Sequence, residues 1–144
     1  MIAWVMTGQG AESTPSQFIP QQLTHAAVFT GLTLATGGAA AMPMGAVLMN
    51  YMGTYVGGLA ATSRRPVLTL ILGWHPWAVI RVISFVIIGV VLSVPLLSKV
   101  LRFSVDRRLA RTLLLGAGAG LAADIVLKAL LAPAWHRLLL HVVG

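Results

Sequence analysis

The chain has 144 residues, of which 58% are hydrophobic and 9% charged, and its formal net charge is +7. A soluble domain carries about 25% charged residues, so composition excludes an ordinary soluble globular protein, and with it a disordered chain. Ten Lys and Arg against three Asp and Glu punctuate apolar segments, which points to lipid headgroups rather than nucleic acid. With no cysteine, disulfides, thiolate metal sites and cysteine nucleophiles are excluded.

A membrane-crossing helix needs about 20 apolar residues. The composition therefore predicts an all-α membrane protein, a single integral-membrane domain over 1–144 with about four transmembrane helices and interfacial segments. Residues 1–20 read as an extramembrane tail. Its start, Met1–Met6, is too short and lacks the basic flank of a signal peptide; it reads as an interfacial foot with Trp4 at headgroup level. Residues 7–20 show no obvious element, and Pro15 and Pro20 favour extended backbone before them. These twenty residues cannot form a core of their own.

From Ser13 to Ser63 there is no Asp, Glu, Lys or Arg. Gly37, Gly38 and Pro43 mark a break, giving spans at 21–39 and 43–61. Ser63-Arg64-Arg65-Pro66 is the next punctuation. The apolar run from Val67 to Ser98 would be about 48 Å long as a straight helix, against a hydrocarbon core of about 30 Å. The Gly73-Trp74-His75-Pro76-Trp77 cluster divides it into an interfacial or dipping segment at 67–73 and a third span at 78–98. Between Lys99 and Arg111 lie five basic residues and one acid. Ser104 reads as an N-cap with Asp106 in the first turn. A fourth span covers 109–131, ended by Pro133, and 132–144 forms a short interfacial helix.

The positive-inside rule places the 99–111 loop in the cytoplasm, in conflict with Arg64, Arg65 and Arg81, which then fall outside. The expected location is a bacterial inner or other energy-transducing membrane. Leu70–Arg81 and Leu130–Arg137 share an order of leucines, Trp-His and Arg, read as two similar interface segments rather than a repeat.

Four groups of residues bear on chemistry. Asp124 and Lys128, four apart, share a helix face and can pair; an ionisable residue in a span is a functional hypothesis by default, set against a self-neutralised packing pair or Lys128 snorkelling to the interface. His25 in the first span is a candidate axial ligand to haem iron or a pigment magnesium, set against a histidine bonded to nearby polar groups. His75, His136 and His141 fall on one membrane side, but their spacing and the lack of carboxylates favour interfacial anchoring with Trp74, Trp77 and Trp135 over a metal site. Gly53 with Gly57 and Gly116 with Gly120 form GxxxG pairs that let helices approach closely.

Met42, Met44, Met49 and Met52 read as adaptable packing rather than a copper(I) site. No nucleophile motif, paired carboxylates or phosphate loop is present, so catalysis has no support. The expected function is a small non-catalytic accessory or structural subunit of a larger membrane complex, photosynthetic or respiratory by type, with the bilayer and other membrane subunits as partners. The expectation for cofactors is none, a pigment or haem contact being the exception. The alternatives are a homo-oligomeric transporter or channel built on Asp124 and Lys128, and a cofactor-binding membrane protein built on His25.

Overall fold

A computed structural model describes residues 2–7, 14–101 and 106–143. These residues form six helices and no strand: α1 (Ile2–Thr7), α2 (Pro15–Thr36), α3 (Ala41–Thr62), α4 (Pro66–Gly73), α5 (Pro76–Leu101) and α6 (Arg107–Val143). α5 and α6 are long and apolar enough to cross a membrane.

Helix α2 starts earlier than its hydropathy suggests. Pro15 occupies its first turn, where a missing N–H costs nothing, and Thr14 before it is extended. Pro20, expected to follow extended backbone, lies inside the helix instead. The backbone holds because Phe18, buried at 2% exposure, anchors this turn, while Gln17 and Phe18 amides both donate to the Thr14 carbonyl. The α2–α3 turn falls at the glycine pair. Gly37 closes α2 in the left-handed region at φ 60°, and Gly38 follows at φ 93°, conformations that side chains with a Cβ rarely adopt.

The Val67–Ser98 run divides at Trp74 and His75, where α4 ends and α5 begins. The α6 cap differs from expectation. Asp106 Oδ1 accepts the Arg108 and Leu109 amides at 2.8 and 3.1 Å, so Asp106 itself caps the helix; Ser104 lies outside the described residues. α6 then runs 37 residues through Pro133, rather than ending there with a separate helix after it. Proline removes one ladder bond, but the following turns are held by tertiary contacts: Leu139 is fully buried, with Val142 and Val143 close to it in burial.

Helices α5 and α6 pack antiparallel, since Arg81 meets Asp124, Gly120 lies against Ser84, and Pro95 faces Arg111 across a cleft. α2 runs alongside α5: Phe29 packs on Phe85 and Gly37 lies against Leu96. α3 returns, so Ser63 at its far end reaches the end of α6, where its hydroxyl donates to the Val142 carbonyl at 3.1 Å. Two apolar clusters result. One, around Phe29, Ala41, Ile88 and Ala117, lies toward the α2–α3 turn. The other, with Trp4, Val5, Tyr55, Val56, Leu59, Ala132 and Leu139, lies at the opposite end.

Beside these clusters, several polar groups are buried and many apolar side chains are exposed. Thr33, Thr69, Ser84, Asp124 and Lys128 are buried, while Val67, Ile71, Val86, Val90, Val100 and Leu130 are exposed. Exposed apolar side chains in this number are what a membrane or a partner would cover.

Candidate functional site

Between the two apolar clusters lies a charged layer. Asp124 sits on α6 at 1% exposure, and its partner is Arg81, one turn into α5. Arg81 Nε donates to Oδ2 at 2.7 Å and Nη2 to Oδ1 at 2.9 Å, a two-bond fork in which both carboxylate oxygens are engaged. The carboxylate side chain is 2% exposed and the arginine 27%. Sequence spacing pointed to Lys128 alone and set Arg81 among the loop cations. The antiparallel register of α5 and α6 brings Arg81 to the depth of Asp124, a relation that no local pattern encodes.

Lys128, one turn along the same face of α6, is 3% exposed. Its ammonium lies 4.4 Å from the centroid of the Phe18 ring, within range of a cation–π interaction. The side chain is enclosed within the bundle. On α2, Gln22 follows Phe18 by one turn, and both its amide atoms are buried with no hydrogen-bond partner among the described residues.

Beyond this layer, toward the chain ends, the aromatic residues gather. His75 is 1% exposed and stacks on Trp77, with centroids 4.8 Å apart and planes at 16°. Tyr55 stacks from α3 at 5.8 Å, its hydroxyl 3.5 Å from His75 Nε2. Trp4 and Trp135 close the sides. Trp135 Nε1 donates to the Leu72 carbonyl at 3.0 Å, which ties α6 to α4. His136 Nε2 lies 3.0 Å from the Val5 carbonyl, so Nε2 carries the proton and ties α6 to α1.

These contacts gather the residues expected as interfacial anchors into one packed cluster. Trp4, His75 and Trp77 are core residues, at 3%, 1% and 3% exposure, because α1, α3, α4 and α6 converge on the Trp74–His75 break and cover it. Trp74, Trp135 and His136 are half-buried around them, and His141 is exposed. The two Trp-His segments that echo each other in sequence pack against one another. Among the described residues no group of three His, Cys, Asp or Glu is placed to hold a metal ion. His25 is half-buried on α2.

The glycines divide. A Cβ on Gly120 would collide with Ser84 Oγ, so this glycine sets the α5–α6 approach; Gly53, Gly57 and Gly116 have open space where a Cβ would stand. Of the methionines, Met42 and Met49 point outward, and Met52 packs on the aromatic cluster.

The fold and the site thus define a chain whose described residues are helical, with two helices fit to cross a membrane, a buried carboxylate forked by a half-buried arginine, and an aromatic cluster at one end. Comparison with protein-family models, with curated proteins and with solved structures finds no match.

Proposed function

We propose that the chain is a four-span integral-membrane protein serving as a small, non-catalytic structural subunit of a larger membrane complex, with another helical membrane subunit as its partner. The observation that carries this reading is an unfilled face of α3. Asn50, Gly53, Gly57 and Ala61 lie within one narrow stripe at helical spacing, all four are exposed, and neither glycine has anything within 4 Å of where a Cβ would stand. In a bilayer a neighbouring helix is the favourable cover, because small residues admit close backbone approach and an asparagine finds a hydrogen-bond partner across the contact.

Four spans are supported by shared depth. α2 and α3 reach the same two ends of the bundle as α5 and α6, through Gly37 at Leu96 and Ser63 at Val142. Their 22-residue lengths correspond to about 33 Å, enough for a hydrocarbon core of about 30 Å. The Arg81–Asp124 pair lends support to a structural role, because a forked, enclosed carboxylate is already neutralised. It also removes Arg81 from the loop charge count, which favours a cytoplasmic 99–111 loop.

The test is purification from the native membrane in mild detergent, read by native mass and by absorption spectrum. A fixed-stoichiometry complex is expected. Gly53→Leu/Gly57→Leu should release the chain while leaving its helix content and melting temperature unchanged, since both positions open to space. Recovery of the wild-type chain alone, as a monomer or homo-oligomer, overturns the subunit reading.

The buried Asp124 and Lys128, with the half-buried Arg81, favour a second reading, a homo-oligomeric transporter. That reading requires Asp124→Asn to abolish flux in vesicles while the fold survives.

A further inference from the structure

The opposite end of the bundle from the aromatic cluster carries a cleft that the subunit reading does not use. It lies between the last turns of α5 and the first turns of α6 and encloses about 730 Å³, within the range of small-molecule sites. Its wall is apolar, formed by Val91, Pro95 and Leu114, and its mouth carries Lys99, Arg107 and Arg111. The nearby acid, Asp106, already accepts two backbone amides at the α6 start, leaving the three cations with an excess of positive charge. All three are exposed.

We propose that this cleft binds one anionic phospholipid from the bilayer, its phosphate among Lys99, Arg107 and Arg111 and an acyl chain along Val91, Pro95 and Leu114. The charge complementarity selects the headgroup, because each cation near an anionic membrane surface adds attraction. The apolar wall selects a lipid over a free phosphate. A soluble anion would gain nothing from the apolar wall, whereas an acyl chain buries the exposed surface of Pro95 and Leu115, which also line the cleft. The cations stand at the end of α5 and the start of α6 and the apolar wall runs inward from them, which is the order of headgroup and chain in a leaflet. The proposal rests on the membrane part of the reading above and needs no partner subunit.

The experiment uses the purified full chain in lipid nanodiscs and in detergent, with lipid adducts read by native mass spectrometry and stability by thermal melting. The probes are phosphatidylglycerol, phosphatidylcholine and glycerol phosphate. Phosphatidylglycerol should be retained on the order of tenfold more than phosphatidylcholine and should raise the melting temperature; glycerol phosphate should do neither. Arg107→Gln/Arg111→Gln should bring retention of the two lipids level. Arg64→Gln/Arg108→Gln removes equal charge without touching the cleft and should keep the preference. Ala110→Trp, which fills the cleft and leaves the cations, should displace phosphatidylglycerol; normal helix content and melting in the lipid-free state show that each variant folds.

Equal retention of the two lipids by the wild type overturns the proposal. So does loss of preference in the equal-charge control, which would reduce the effect to diffuse attraction, and so does an equal response to glycerol phosphate. A chain that alkaline washing strips from vesicles overturns the membrane reading itself, and the lipid site falls with it.

Discussion

Asp124 is the residue on which the charged layer turns. Its carboxylate has left water almost entirely, and what offsets that cost is the arginine fork at 2.7 and 2.9 Å. Removing one partner strands the other. Breaking a buried pair costs about 3–5 kcal/mol, and the 27% exposure that Arg81 retains sets Arg81→Met toward the lower end of that range. Replacing both, as Arg81→Met/Asp124→Leu, should recover most of the loss. Thermal melting of the single and double variants checks this, and an additive double variant contradicts it. Gln22 shows the complementary case. Its amide is buried without a partner among the described residues, and an unsatisfied amide costs about 1–3 kcal/mol. Gln22→Leu should therefore raise the melting temperature, and a fall would mean that the amide has a partner in the membrane. At this scale the sequence named Asp124 as an ionisable group inside an apolar segment, which hydropathy reveals directly. It did not name Arg81, because their pairing across 43 positions depends on how two helices register.

Single elements show where local rules hold and where packing overrides them. The α2–α3 break was legible because two adjacent glycines permit positive φ, and the α4–α5 break because Trp74-His75-Pro76 interrupts an apolar run. Pro20 and Pro133 misled for a shared reason. Proline disfavours a helix interior, but tertiary anchors decide the outcome in both places: Phe18 below Lys128, and Trp135 with His136 on α4 and α1. The smallest helix depends most on such anchoring. α1 has six residues, too few to be stable alone, and it is held by Trp4, Val5 and the His136 bond. Trp4→Ala should cost about 3–5 kcal/mol of local packing and release α1. Limited proteolysis checks this: cleavage near the N-terminus should accelerate while α2 to α6 stay protected. A rise in cleavage throughout the chain would show instead that the aromatic cluster supports the whole bundle.

For the molecule as a whole, composition points toward a membrane, the described residues are helical, and packing decides which faces stay open. The four-span reading makes a geometric demand, namely that the ends of the helices alternate between two sides. The turn at Gly37–Ala40 and the α5–α6 connection must share one side, since Gly37 lies at Leu96. Arg64 and Arg137 must share the other, since Ser63 bonds to Val142 and Trp135 to Leu72. The chain has no cysteine, so single cysteines can be introduced on a clean background. Ala39→Cys and Arg108→Cys should react with an impermeant maleimide only from the cytoplasmic side. Arg64→Cys and Arg137→Cys should react only from the outside. The assignment of sides follows from the charge that Asp124 removes. With Arg81 paired inside the bundle, Arg64, Arg65 and Arg137 oppose five cations between Lys99 and Arg111, and the proposed orientation puts the larger group on the cytoplasmic side. Reversed labelling of all four positions would keep the four spans and invert the orientation. Labelling of Ala39 from the side that reaches Arg64 would remove α3 as a span, and with it the exposed glycine face on which the partner helix is proposed to pack.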